Sequence, residues 1–554
     1  MSTAAPTTEQ RLAAVEHQLE QLAGRPDLSP TVADLSAELD ALGTAAGAGF
    51  IAPVLPLREV PTKVWNAAQF PGATDTAKLK EAIAEAKAAG HCMVWLGGKG
   101  FWVTTETVVV PPGARVEGQQ FGLGTKVEAT GAYFIWTLGE AGDASEITIA
   151  YMHLRAKEAQ AAGGGFGWAT PGTIFHIHDI RFGSNLKFGV NMSGFTISAA
   201  WLENLAWNDG ATQVKSCGTA IKLGDGAHLV NQIRLRYCEC VAATTADMEV
   251  GLDLEFVDTI TVTDSIFEVV TAGIRSGATE GGGTSTGLRF TNVATDTCSS
   301  HGWSLHKYRD VVLTGCNSQT CGTKLAGFGM YIRFGQGFRM IGGTVQHNQN
   351  HGIVFEAATN FSMDGVDVTD NNQSNEGGSG VVIAAGSEIF KIARCQCGNF
   401  YIGLAGHQQF GILIETAGAK DFQVTDNTLN GNTAGPIESL ATGANQMIRR
   451  NMTKGGTRAW AAKVKRKTAE AITANKNGDT LVMLTVETAA VTRTLLEVLV
   501  GGVLIATPEI SAAATGKSFV TLSFEVPTFL TYEVKVKEGA VEPAGEFETS
   551  YKAL

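Results

Sequence analysis

Midway along this chain, charged and aromatic residues recur at one place in a repeated phrase. The phrase is a glycine followed by an apolar-x-apolar strand, and the outward positions carry the chemistry. Successive strand residues point to opposite sides. In "GLDLEF" Leu252 and Leu254 therefore face inward, and Asp253 and Glu255 outward. The same parity puts Arg275 outward in "GIRS", Ser304 and His306 in "GWSLH", and Tyr331 and Arg333 in "GMYIRF", with Glu356 and Glu415 just past their strands. Asp253, Glu255, His306 and Glu356 are the candidate catalytic groups, and Arg275, Tyr331 and Arg333 the candidate substrate-binding ones. Hydrolysis of a glycosidic bond uses two carboxylates about 5–9.5 Å apart. Asp253 or Glu255 meets that with Glu356 only if loops bring them together, because four anchor steps separate them. Elimination at a uronic acid instead needs a base for the proton next to the carboxylate and a cation for the enolate. His306 or Tyr331 with Arg275 or Arg333 supplies those types. The plain alternative is a solvated outer face, where such residues are ordinary.

The elements that position these residues follow from the repeat. The anchor glycines are Gly251, Gly273, Gly302, Gly329, Gly352, Gly380 and Gly411, spaced 22 to 31 residues apart, with Gly189 and Gly218 as weaker earlier members. After most anchors a second short strand follows, such as Ile260-Thr-Val262, Val311-Val-Leu313 and Phe361-Ser-Met363. A tight polar or glycine turn and a third short strand complete the unit. Three strands in a unit of this length make one rung of a solenoid, which buries its inner side chains only by stacking on its neighbours. A β-propeller is the rival, but its blades need about 40–45 residues and four strands. Rungs stacked about 4.8 Å apart would align the candidate residues in a polar stripe about 20 Å long, the scale of an oligosaccharide.

Composition agrees. There are 66 glycines in 554 residues, well above the usual share of about 7%. Hydrophobic residues make up 44%, enough for a large core. The net charge of −12 argues against nucleic acid as the main partner, since phosphate binding needs clustered Lys and Arg. No apolar run is long enough to span a bilayer, and the first residues lack the basic head and apolar stretch of a secretory leader. The nine cysteines fit neither a disulfide framework nor a C-x-x-C zinc site, and read as small buried residues. No G-x-S-x-G elbow, Walker loop or H-E-x-x-H is present. Asp364, Asp367, Asp370 and Asn371 lack the terminal Glu of a calcium loop, His176 and His178 make only a weak metal pair, and Trp201, Trp207 and Tyr401 are weaker sugar-stacking candidates. No metal or cofactor is expected.

Different patterns flank the repeat. Leu12, Val15, Leu19 and Leu22, then Val32, Leu35, Leu39 and Leu42, form two short heptad seams, with Ser29-Pro30 as a helix start. "TDTAKLKEAIAEAKAAG" is an amphipathic helix with Leu79, Ile83 and Ala86 on one face. Beyond Lys463, "TLVMLTVET" and "KSFVTLSFEVP" are longer strands with period-two patterning, as in an antiparallel sandwich-like module.

The segment Trp65 to Gly118 resembles the opening of the pectate-lyase-like β-helix family of phage tailspikes and polysaccharide depolymerases. The counterparts are Thr74-Asp75-Thr76 before the capping helix, "MVWLGGKGFWV" and "VPPGARVEG". One acid stands where the family has two, and Gly97-Gly98 replaces its prolines. The resemblance extends over roughly residues 60–450. It implies an all-β fold: a right-handed single-stranded parallel β-helix, with a short N-terminal helical (coiled-coil) segment and a C-terminal antiparallel β-sandwich-like module. The expected parts are 1–59, an attachment stalk and linker; 60–145, the cap and first strands; 146–455, the β-helix; and 456–554, a trimerisation or binding module. It further implies a homotrimeric tail spike or fibre on the virion, joined through its N-terminal segment to a baseplate or tail protein, that binds host surface polysaccharide and, by one reading, depolymerises it. A non-enzymatic adhesin fibre is the alternative, and a cellular polysaccharide lyase or hydrolase a more distant one. Neither nucleic acid nor membrane insertion belongs to any of these readings.

Overall fold

The structure is a computed structural model. It describes residues 64–452 apart from 91–92, 98, 120–123, 141–144, 208–212, 278–281, 324–326 and 401–406, and beyond them the strands that lie between 464 and 553. The helical stalk expected over 1–59 lies outside the described residues. Two parallel sheets of 13 and 24 strands dominate. From Cys217 to Gly398 each rung gives its first strand to the smaller sheet and its second and third to the larger; Met248–Leu254, Val257–Thr263 and Ile266–Glu268 make one rung. Register is kept from rung to rung. Leu252 pairs with Ile274, Ile274 with Trp303, Trp303 with Met330 and Met330 with Ile353.

The anchor glycines line up along one edge of this rod, and sterics explain them. A Cβ on Gly273 would lie 2.5 Å from the carbonyl oxygen of Gly302, and one on Gly352 would lie 2.6 Å from that of Gly380. Approach this close between successive rungs favours glycine. Gly218 is a correction to the sequence reading. Register puts Ala220 in its place, since Thr219 pairs with Val250 and Ile221 with Leu252.

The second corner of the rung, between second and third strands, is two residues long throughout 237–427. Its first residue has a left-handed backbone, as at Asp264 (φ 49°), Asn292 (φ 53°) and Asp426 (φ 60°). Its second is small or mid-sized and buried: Cys238, Ser265, Val293, Cys316, Val366, Cys395 and Asn427. This corner, with inner third-strand positions such as Cys240 and Cys397, explains most of the cysteines, and the eight described ones are buried and free. The third corner, which leads back to the smaller sheet, varies from 269–271 to 370–380.

One hydrophobic core runs from Trp65 to Ile448. Within it Phe355, Phe361, Phe390 and Phe422 stack face to face, with ring centroids 4.1, 5.0 and 4.7 Å apart. Buried amides form a second ladder, in which Asn348 donates to Asn371 at 2.9 Å and Asn371 to the Val345 carbonyl at 3.0 Å. The helix Asp75–Ala88 packs on the first strands through Leu79, Ile83 and Ala86, capped by the Thr74 hydroxyl, which accepts from the Ala77 N–H. Past residue 463 the pairing becomes antiparallel, with Thr480–Thr488 between Ser518–Val526 and Glu546–Ala553. Buried Leu496, Val498 and Val534 belong to a second antiparallel sheet there.

Candidate functional site

Three successive first strands, Trp303–His306, Met330–Arg333 and Ile353–Glu356, build a polar cluster on the rod. Trp303, Leu305, Met330, Ile332, Ile353 and Phe355 are fully buried, which holds the alternate residues outward. Register sets Ser304 beside Tyr331, and His306 beside Arg333, which is beside Glu356. The Tyr331 hydroxyl donates to the Glu356 carboxylate, and Arg333 pairs with its other oxygen at 3.2 Å. The His306 ring meets the Tyr331 ring edge-on at 5.5 Å, and the Arg333 guanidinium lies 5.7 Å from the same ring. Four of the seven residues singled out in the sequence thus come together.

The other three do not join them. Asp253 and Glu255 correct the sequence reading: parity points them outward, but they are only 1% and 3% exposed. Arg275 from the next rung covers Asp253, donating to its two oxygens at 3.0 and 2.8 Å. Glu255 lies at the turn out of its strand, where Gly226 donates to its carbonyl. Four rung steps separate Asp253 from Val354, about 19 Å at the usual strand spacing. Neither acid is therefore placed to work with Glu356 as a hydrolytic pair.

Burial and charge set the protonation states of the cluster. Burial, with the nearby Arg333 charge, lowers the His306 pKa, so its imidazole is neutral at pH 7. Burial, then the hydrogen bond to Glu356, pushes Tyr331 up to about 12, so it keeps its proton. Next to them runs a column that sequence reasoning missed: His301, Phe328 and His351, with ring centroids 5.2 Å apart at each step and Tyr331 against the first two. The signal was present, because each of these residues immediately precedes an anchor glycine. His301 Nδ1 accepts from the Phe328 N–H and His351 Nδ1 from the Ser379 N–H, both at 2.9 Å. With Nδ1 so occupied, the neutral rings carry their proton on Nε2 and serve as donors.

Burial lowers both His301 and His351 to about 4. Their folded pKa lies below the unfolded value of about 6.5, so the stability they contribute is complete above about 6.5 and is lost as pH falls toward 4. The loss is of the order of 3 kcal/mol for each at most. Urea unfolding at pH 7.5, 5.5 and 4 should show it, and a His301→Gln, His351→Gln double variant should flatten that slope.

A second set, on third strands, was also missed. Glu268 and Asp296 are register partners on adjacent rungs. Gln319 donates to Asp296 at 2.6 Å, and Gln346 to Gln319 at 3.2 Å. Burial, then the charges of Asp296 and Glu239, raises the Glu268 pKa. Further along, Thr344, Gln346, Asp367, Gln396 and Phe400 line a cavity of about 230 Å³. The sequence hides this pairing because stacking joins residues 28 apart. Elsewhere, His176 and His178 lie 4.4 Å apart, with His178 on Asp179 at 2.7 Å. No group of three or more His, Cys, Asp and Glu among the described residues is placed to hold a metal. Trp207 is core, stacked on Phe182 at 4.5 Å, Trp201 is half-buried, and Tyr401 lies outside the described residues.

Residues 283–453 match the family model described as right handed beta helix region. The two parallel sheets between residues 64 and 452 form a right-handed parallel β-helix. Among solved structures the β-helix is similar to tailspike protein 3 of bacteriophage CBA120, at 15% identity and a TM-score of 0.51, over 70% of this chain and 61% of that one. The chain thus spans less than two thirds of that tailspike. The A-module of a mannuronan C-5 epimerase from Azotobacter vinelandii matches at 11% identity and a TM-score of 0.47, over 70% of this chain and 99% of that one. A surface adhesin of Streptococcus pneumoniae matches at 11% identity and a TM-score of 0.37, over 71% and 93%. At such identities the likeness is one of fold. No curated protein sequence matches the chain.

Proposed function

We propose that this β-helix is a phage tail spike or fibre that binds host surface polysaccharide along its first-strand face and cleaves it there by elimination at an acidic sugar. The observation that carries the reading is the convergence of His306, Tyr331, Arg333 and Glu356 within three rungs. Arg333 pairs with the sugar carboxylate and stabilises the charge that develops on it. Neutral His306 takes the adjacent proton. Tyr331, which keeps its proton until then, turns its O–H from Glu356 to the departing glycosidic oxygen and protonates it, and Glu356 holds Arg333 in place. The Nε2 protons of His301 and His351 and the ring of Phe328 supply binding contacts beside them. In this reading three chains assemble, residues 1–59 attach to the baseplate or tail, and residues 456–554 trimerise or bind. The heptad seams of 1–59 and the fold shared with a tailspike support it.

The test is to incubate purified protein with polysaccharides from candidate hosts. Elimination releases reducing ends and unsaturated, ultraviolet-absorbing sugars in equal number. Binding without release would leave an adhesin; neither binding nor release with any acidic host glycan would sink the proposal. A second reading rests on Glu268 and Asp296. They are register partners on adjacent rungs, and the raised Glu268 suits the acid role of a hydrolase pair. It predicts reducing ends without unsaturated sugars, and their loss in Glu268→Gln.

A further inference from the structure

A separate groove of about 360 Å³ opens on the second-strand face, across the second strands that begin at Val257, Ser285 and Tyr308. Register places Asp258, Thr286 and Arg309 in one row across it. Gly287 (φ 64°) lies in its floor between Thr259 and Asp310, which share its left-handed backbone. A Cβ there would come within 3.3 Å of an Asp258 carboxylate oxygen. The polar groups are unequally committed. Arg289 is engaged with the Asp310 carboxylate, with the Asp310 carbonyl at 2.8 Å and with the Leu288 carbonyl at 3.0 Å. The Thr286 hydroxyl donates to Asp258 at 2.5 Å. Arg309, on the same wall, is exposed and has no ion pair or side-chain hydrogen bond among the described residues.

We infer that this groove is a second saccharide site, specific for a sugar that carries a carboxylate. Arg309 offers a free, planar, two-pronged donor that matches a carboxylate. Asp258 and Asp310 have oxygens left to accept from sugar hydroxyls, and the Thr259 and Thr261 hydroxyls can donate or accept. The two aspartates repel a phosphate-rich polyanion, which leaves a singly charged, hydroxyl-rich ligand as the fitting class. The inference is independent of the elimination chemistry, since it uses another face of the rod and none of the residues of that cluster.

Calorimetric titration tests it with oligomers of galacturonate, mannuronate and sialic acid, each beside the same oligomer with its carboxyls reduced. At least one carboxylated oligomer should bind, its reduced form should not, and Arg309→Gln should weaken binding about tenfold or more. Gly287→Asn should do the same by filling the floor, because asparagine tolerates the left-handed backbone. Arg333→Ala is titrated in parallel. Binding lost in Arg333→Ala but intact in both groove variants overturns the second site and leaves the proposed function standing. Binding lost in the groove variants but intact in Arg333→Ala upholds the second site and counts against the first-strand face. Equal affinity for the reduced oligomers, or no binding by any of the panel, overturns the inference.

Discussion

Replacing Tyr331 with Phe should slow release of unsaturated sugar by about 10²- to 10⁴-fold, the usual contribution of a positioned general acid. The ring stays, so its contacts with His301, Phe328 and His306 stay, and glycan binding should change little. The loss should therefore fall on kcat and spare KM. Glu356→Gln makes a useful partner, since it weakens the hold on both Tyr331 and Arg333 and should raise KM as well. The pH profile adds a sign. His306 must be neutral to take a proton, and burial and Arg333 hold its pKa below the ordinary 6.5. The rate should stay level down through neutral pH and fall at an inflection below 6.5. An inflection above 6.5, or a Tyr331→Phe enzyme of full rate, would remove these residues from the chemistry.

Truncating Phe361 to Ala should cost about 3–5 kcal/mol of stability, as large-to-small core changes of this kind do. Phe361 is buried and sits second in the stack of four rings, so the change leaves a cavity and breaks the contacts with Phe355 and Phe390. Each stacked pair adds about 0.5–1.5 kcal/mol beyond its buried area. Rungs contact only their neighbours, so the damage should be local. Hydrogen exchange should speed up in the strands Ile353–Glu356, Thr359–Asp364 and Glu388–Ala393 and hardly at all near Ile149 or Ile177. Phe361→Leu, which keeps most of the volume, should recover much of the loss. Uniform acceleration along the rod would mean that it unfolds as one cooperative unit.

The rod was legible in the sequence because its constraint is local and steric. Where one rung's Cβ would crowd the next rung's carbonyl glycine is favoured, so Gly302, Gly329 and Gly352 mark the beat in plain text. Gly218 misled because its neighbour Ala220 holds the true position, and a count from glycine to glycine cannot see that. Parity placed His306, Tyr331, Arg333 and Glu356 together, since alternation and a constant register are enough for that. Parity could not bury Asp253, because the side chain that covers it, Arg275, comes from the following rung. Glu268 and Asp296 were invisible for a related reason: their adjacency exists only after stacking. His301, Phe328 and His351 lie in connections, where strand alternation does not reach, although the glycine after each one flags it.

The unequal corners of the rung shape how such a protein can change. The two-residue corner admits no extra length without throwing every later coil out of phase. The corner at 370–380 already holds an excursion that the one at 269–271 lacks, and the coils above and below remain in step. Foreign segments should therefore be graftable along that single seam, beside His301 and His351, so that exchanged loops would alter its surface chemistry while leaving the rod intact.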